Sequence, residues 1–387
     1  MMKAMVQAQL LEEQADRAAA AGQVGAACSF LEQAVAGDDS SAKLWLKLSA
    51  MRKVSGDLSG ALAAVDRALA ISPLDFSALL SRAVILDGLG DPSAGQEFGH
   101  ALAQLPPDGK IPAPMRPAID HARKRCDDFR ATLEQRLIRA LPEGLDAEPR
   151  TRAERFISNR TRRTRHFHQE PSDFHYPGLP EAEFHDRELF PGLARLEAAS
   201  VDIRAEFDAL IAAEAAEMVP YIQYPDRVPV RQWKDLNNNR DWTAIHLLQN
   251  GRRLEANARH CPKTFAAIAE MDQPAVPGAS PNLMFSLLAP RTRIPPHTGV
   301  ANTRLVCHLP LIVPAKCGFR VGETTREWKI GEAFVFDDTI EHEAWNDSDE
   351  LRVVLILDLW PPALSPADRA AVAAVIGASG ASFMGNA

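Results

Sequence analysis

Three stretches, Pro295-Pro296-His297-Thr298-Gly299, Arg304-Leu305-Val306-Cys307-His308-Leu309-Pro310 and Phe336-Asp337-Asp338-Thr339-Ile340-Glu341-His342-Glu343, decide how the C-terminal half of this sequence is read. They lie in a segment where short apolar runs, 285–288, 304–313, 318–322, 333–336 and 351–360, alternate with Gly, Pro and Asp turns. Runs of period two or of continuous apolarity, bounded by turn residues, predict short strands folding into a two-sheet antiparallel jelly roll, whose mouth commonly holds a ligand or metal. His297 and His342 lie 45 residues apart, each at the edge of a predicted strand, so such a fold can bring them to one ion. Imidazole suits Fe, Zn, Cu and Ni, and the pair alone does not choose between them. The two-histidine, one-carboxylate iron site usually has its acid two residues after the first histidine, where this sequence has Gly299. Chemistry alone therefore leaves the pair open between ligands and ordinary histidines.

Outward from that segment, the first hundred or so residues follow another rhythm. Gly22, Gly56 and Gly90 recur every 34 positions, Asp57 and Asp91 share the spacing, and Pro73 and Pro106 follow 33 apart. That period belongs to helix-turn-helix arrays of the tetratricopeptide kind and predicts about three repeats, the first the least regular. The glycines are expected in turns between paired helices, where a Cβ is poorly tolerated, and Ala61, Ala64 and Ala68 let neighbouring helices approach. Such an array offers a concave face to a peptide or protein partner, or serves as a spacer or dimerisation element.

Pro106-Pro107-Asp108-Gly109 breaks the array, and 115–141 predicts one long charged helix that ends by 142–146. Seven arginines against one acid, Glu154, run from Arg150 to Arg165, with Phe156 and Phe167 nearby. Such a run can grip a nucleic acid or an acidic protein, but a solvated helix face with ion pairs is the commoner outcome. The prolines of 171–191 exclude a long helix, and the irregularly spaced His166, His168, His175 and His185 read as surface or packing residues rather than a metal site. Helices are expected over 193–218 and 257–271, with a strand-like run from Trp242 to Leu248.

With 387 residues, 46% hydrophobic and 24% charged, the chain suits about two or three soluble domains. A net charge of -8 argues against a nucleic-acid partner. No apolar run reaches the roughly 18 residues a membrane span needs, and no apolar leader with a cleavage site opens the chain, so a cytoplasmic location is expected. Five cysteines without C-x-x-C spacing suggest neither a disulfide framework nor a thiolate zinc site.

The segment from about Phe167 to Pro362 resembles the aspartyl/asparaginyl β-hydroxylase family of iron(II)- and 2-oxoglutarate-dependent oxygenases. The resemblance rests on His297-Thr298-Gly299, Asn302, Arg304, Cys307-His308-Leu309, Gly318-Phe319-Arg320-Val321-Gly322, Phe336-Asp337-Asp338, Glu341-His342-Glu343, Trp345-Asn346, and Arg352 ahead of Trp360. The family is notable for Gly where the usual acid sits, and some members carry tetratricopeptide repeats ahead of the catalytic domain. The expected organisation is multidomain α and β: a tetratricopeptide-like helical array over 8–107, a helical linker over 108–165, a double-stranded β-helix (jelly roll) oxygenase domain with flanking helices over 166–364, and a C-terminal helix and tail over 365–387.

The resemblance implies that His297 and His342 hold Fe(II), that Arg352 and Ser286 take the far carboxylate of 2-oxoglutarate, and that His308 lies by its near carboxylate or the substrate. These roles suit the side chains, since a guanidinium pairs with a carboxylate in two-pronged fashion and a hydroxyl completes the contact. Val306 stands where family members often carry a second arginine, so anchoring is expected to fall partly to Arg304. Asp338 is expected to orient a metal-bound water and Asp337 to cap the turn before His342. His308 has the alternative of a satisfied core histidine, and Trp242, Trp345 and Trp360 are expected to pack. The implied reaction consumes O2 and 2-oxoglutarate, releases succinate and CO2, and hydroxylates the β-carbon of an aspartyl or asparaginyl residue in a polypeptide or a small amino-acid-like molecule. The alternatives are hydroxylation of a lipid acyl chain or free amino acid, or a non-catalytic binding protein whose repeats dock a protein partner.

Overall fold

The computed structural model describes residues 2–107, 111, 113–225 and 231–380. It divides into two compact units, Met1–Thr164 and Arg165–Ala387. Asp108 and Gly109 of the expected turn, and the end of the expected tail, lie outside the described residues. No helix among the described residues is long and apolar enough to cross a membrane.

The first unit is helical and tetratricopeptide-like. Helices α1 (Met2–Ala20) and α2 (Val24–Gly37), α3 (Ala42–Val54) and α4 (Leu58–Ile71), and α5 (Phe76–Gly88) and α6 (Ala94–Ala103) form three successive pairs. Gly22, Gly56 and Gly90 lie in the turns within the pairs with φ of +76, +85 and +71. A Cβ on any of them meets nothing within 4 Å. Glycine is therefore selected by the sign of φ and not by crowding, which corrects the reason expected from the sequence. Each turn closes alike: the N–H groups of Gln23, Asp57 and Asp91 donate to the carbonyls of Ala18, Arg52 and Leu86 at 2.8, 2.9 and 2.9 Å. These are the long bonds of a glycine-terminated helix end. Ala61, Ala64 and Ala68 are buried.

Helix α7 (Arg116–Arg139) lays Ile119, Ala122 and Cys126 into one core with Phe98 and Ala101 of α6. The first part of the expected linker thus shares a core with the repeats. The arginine run falls on and after α8 (Ala147–Arg160), where Arg150 pairs with Glu154 at 3.9 Å, Arg152 with Glu148, and Arg163 with Glu134 at 3.2 Å.

The second unit is built on two antiparallel sheets. The larger runs in the order β1 (Phe184–His185), β10 (Phe334–Phe336), β7 (Leu305–Ile312), β12 (Arg352–Leu359), β5 (Leu283–Leu288), β3 (Trp242–Gln249), β2 (Val219–Pro220), with β4 (Arg252–Arg253) beside β3. The smaller runs β6 (Thr292–His297), β11 (His342–Asn346), β8 (Cys317–Val321), β9 (Thr324–Arg326).

Side chains alternate across a strand, and here the alternation separates packing from chemistry. Leu305, Cys307 and Leu309 of β7 and Val353, Leu355 and Leu357 of β12 bury against α9 (Leu193–Ala198), α10 (Ser200–Ala212) and α12 (Pro262–Ile268). Val306, Val354 and Ile356 pack instead with Phe319, Val321 and Ala344 of the smaller sheet. Strands covered on both faces read as continuous apolar runs, which is how they looked in the sequence.

Two expected helices are each broken. The helix expected over 193–218 becomes α9 and α10, because Ala199 turns its N–H to both Arg195 and Leu196 carbonyls, and the chain leaves the helix before Glu214 at φ +52. The helix expected over 257–271 becomes α11 (Glu255–Ala258) and α12, because Pro262 has no N–H to extend the first and begins the second. Helix α13 (Pro366–Ser379) closes the described chain behind a Ser365–Asp368 capping box.

Candidate functional site

A cavity of about 340 Å³ opens between the two sheets of the second unit, and Ser286, His297, Arg304, His308, Asp338, His342 and Arg352 all line it. Every residue singled out from the sequence as a site residue is thus brought to one place. The alternation explains it: Arg304, Val306 and His308 are every second residue along β7 and its approach, and Arg352, Ile356 and Asp358 are even-numbered positions of β12.

The last residue of β6 and the first of β11 are paired in register, His297 opposite His342, with ring centroids 4.0 Å apart. His297 Nδ1 lies 2.8 Å from the Pro295 carbonyl and His342 Nδ1 3.1 Å from the Ile340 carbonyl. A carbonyl only accepts, so each Nδ1 carries the proton and each Nε2 keeps a lone pair. Burial, with each ring among other groups, holds His297 down to about 3 and His342 to about 4, so both are neutral near pH 7. Two neutral imidazoles with Nε2 unprotonated are a donor set for a divalent transition metal.

Gly299 lies against Asp338. Its N–H donates to the Asp338 carbonyl at 2.6 Å, and a Cβ on it would come 2.2 Å from Asp338 Oδ2. The space a longer residue would need is thus filled by the carboxylate of Asp338. Arg304 donates to Asp338 Oδ2 at 2.8 Å and lies 3.5 Å from Asp358 Oδ1. Burial works against the Arg304 charge, but the two aspartates outweigh it and raise its pKa. Asp358 is itself held, accepting through Oδ2 from Ser280 Oγ at 2.7 Å and from Asn282 N and Nδ2 at 2.9 and 2.8 Å. Asp338 Oδ1 is buried with no hydrogen-bond partner among the described residues.

Arg352 is 2% exposed and its Nε is buried without a partner among the described residues. Burial lowers its pKa to about 10, with Cys317 and Tyr221 opposing the shift, so it remains charged with no carboxylate paired to it among the described residues. Its guanidinium lies 4.9 Å over the Trp328 ring. Trp328 Nε1 donates to His308 Nδ1 at 3.4 Å, which leaves the His308 proton on Nε2, and burial beside Arg352 keeps this ring well below the ordinary histidine range. Ser286 Oγ accepts from Trp242 Nε1 at 3.1 Å, and Trp242 stacks on Tyr221 at 3.9 Å. Trp242 therefore packs as expected and also orients Ser286, whereas Trp360 packs with α13. Asp337 holds the turn before His342, accepting from Thr339 N and Oγ1 at 2.9 and 2.6 Å.

Sequence reasoning missed Asp358, Trp328, Tyr221 and Trp233. Asp358 carried a signal, an acid inside the apolar run Leu355-Ile356-Leu357-Asp358-Leu359. The aromatics carried none, since their spacing gives no hint that they line one cavity. Away from this site, His166 and His168 approach each other at 3.0 Å and His168 approaches Glu181 at 3.0 Å, an exposed set whose geometry could hold a metal. His175 and His185 are not part of it.

Residues 197–362 match the family model for aspartyl/asparaginyl beta-hydroxylase. The aspartyl/asparaginyl beta-hydroxylase of Homo sapiens is 35% identical over 144 residues, which are 37% of this chain and 19% of that protein. The ornithine lipid ester-linked acyl 2-hydroxylase of Rhizobium tropici is 34% identical over 195 residues, 50% of this chain and 65% of that protein. The chain thus spans only part of the length of each. Among solved structures, the Arabidopsis OM64 TPR domain is 20% identical, with a TM-score of 0.28 over 33% of this chain and 98% of that one.

Proposed function

We propose, from the premise that this chain carries a domain of the aspartyl/asparaginyl β-hydroxylase family, that it is an iron(II)- and 2-oxoglutarate-dependent dioxygenase hydroxylating the β-carbon of an aspartyl or asparaginyl residue or a related small substrate. The two facing antiparallel sheets are then read as its double-stranded β-helix. The residues present suit such an ion, since His297 and His342 offer two Nε2 lone pairs and Asp338 keeps one buried oxygen as an unused acceptor. Iron(II), when bound, supplies the redox chemistry that couples 2-oxoglutarate and O2 to C–H hydroxylation.

The chain's own groups do the rest. His297 and His342 hold the metal through Nε2. Asp338, kept in position by Arg304, offers Oδ1 to a water in the cavity. Arg352 and Ser286 receive the far carboxylate of 2-oxoglutarate, and His308, fixed as an Nε2–H donor by Trp328, donates to the near carboxylate or the substrate. Arg304, paired with two aspartates, serves as a positioning residue in place of the anchoring role expected from its sequence. The repeat array is read as a platform for a peptide or protein partner.

The observation that carries the reading is Arg352, a buried guanidinium that lines the same cavity as the histidine pair and has no acid paired to it among the described residues. Calorimetric titration of 2-oxoglutarate into the full chain loaded with Zn(II) tests it. Arg352→Ala should weaken binding by about 10- to 100-fold, the worth of a charge-assisted contact of roughly 1.5–3 kcal/mol. Arg352→Lys should recover only part of this. Unchanged binding in the alanine variant, or Zn(II) retained by His297→Ala as tightly as before, would contradict the reading.

A further inference from the structure

Of the two arginines that line the cavity, Arg304 is already matched by acids before any ligand enters, and Arg352 is not. Among the described residues the lining holds two arginines and two aspartates, Arg304, Arg352, Asp338 and Asp358. Arg304 lies between the aspartates, 2.8 Å from Asp338 and 3.5 Å from Asp358, and three bonds from Ser280 and Asn282 keep Asp358 from swinging away. An incoming carboxylate that approached Arg304 would meet both of them. Arg352 is given to the cosubstrate in the reading above.

The residue between Arg304 and His308 on the cavity face of β7 is Val306, a buried hydrocarbon that packs with Ile356 and Phe319. His308 is neutral, with its Nδ1 occupied by Trp328. The remaining wall is largely aromatic, with Tyr221, Tyr224, Trp233 and Trp242. Among the described residues, nothing on this side offers a second carboxylate a cation of its own, and burying an unpaired charge is costly.

We infer that the cavity selects a hydroxylation substrate whose inserted group is uncharged, a carboxamide or an alkyl chain in place of a carboxylate, and that Val306 is the specificity-determining residue. This rests on the function proposed above. The substrate's carbon is presented to the site by apolar and aromatic packing, with no ion pair.

Two matched probe pairs test it on the full chain loaded with Zn(II) and 2-oxoglutarate, which holds the site without turnover. One pair is N-acetylasparagine N-methylamide and N-acetylaspartate N-methylamide; the other is N-acetylpentylamine and 5-acetamidopentanoate, whose chains end in a methyl and a carboxylate, so that an amino-acid source and an acyl source are distinguished. Calorimetry or ligand-observed NMR should show the neutral member of at least one pair bound about tenfold or more tighter than its acid, a difference of about 1.4 kcal/mol. Val306→Arg should strengthen binding of the acid and reduce that preference about tenfold or more. Should Val306→Arg not fold, as judged by circular dichroism, the wild-type comparison decides alone. Equal or tighter binding of the acids, or no binding of any neutral probe to the loaded cavity, would overturn the inference. Failure of Zn(II) or 2-oxoglutarate to bind would overturn the parent reading instead, and it is measured first.

Discussion

Arg352 carries an unusual liability at the residue scale, because a buried cation without an acid lowers the stability of the ligand-free chain. Replacing it with Met should therefore leave the thermal midpoint of the metal-free chain unchanged or raise it by a few degrees, about 1 kcal/mol or more, while abolishing 2-oxoglutarate binding. A clear fall in the midpoint would make Arg352 a structural residue. His246 of β3 is the second test case: its Nδ1 is buried without a partner among the described residues, and burial holds its pKa down to about 4 from 6.5. Between those values the unfolded chain binds the proton that the folded chain refuses, so stability falls as pH drops from about 6.5 towards about 4. His297 and His342 act in the same direction in the metal-free chain. Asp337, raised by burial to about 6, acts oppositely, because the folded chain takes up its proton first. His246→Leu should flatten the acid side of the stability profile by on the order of 2–3 kcal/mol across that window. A profile that keeps its slope would remove His246 as a contributor.

At the scale of elements, two kinds of turn explain different residues. The glycine turns of the repeats need a positive φ and nothing else, since a Cβ on Gly56 meets open space. Gly56→Val should cost about 1–2 kcal/mol in thermal or urea unfolding, and Gly56→Asn clearly less, because Asn visits the left-handed region more readily. Equal losses from both would point to a contact at that position that φ does not explain. The loop before β11 is governed by packing instead. There Gly299 leaves room for Asp338, so the backbone at the end of β6 and the carboxylate four residues before His342 are parts of one device.

For the whole molecule, the division at Thr164 and Arg165 and the core shared by α6 and α7 bear on where the chain can be cut. A chain beginning at Arg165 should be soluble, fold cooperatively and bind 2-oxoglutarate with Zn(II), since among the described residues those that line the cavity all belong to the second unit. A chain beginning at residue 108 keeps α7 without α6, leaving Ile119, Ala122 and Cys126 uncovered, and should aggregate more readily. Size-exclusion chromatography and calorimetry of the two truncations check this. Better behaviour of the longer one would show that the helices of 108–164 belong functionally with the second unit.

The sequence by itself determined the 34-residue helical period and most of the long strands, because repeat length and apolar runs are local properties of the chain, whereas the seven candidate site residues that line the cavity were legible only through the family resemblance. It could not determine helix continuity at Ala199, where the break depends on how two short helices cover the larger sheet. Nor could it determine that Arg304 is already matched by Asp338 and Asp358 while Arg352 is not. Those four residues span 304 to 358, and which charges meet is decided by strand register and sheet facing, interactions between segments far apart in the chain.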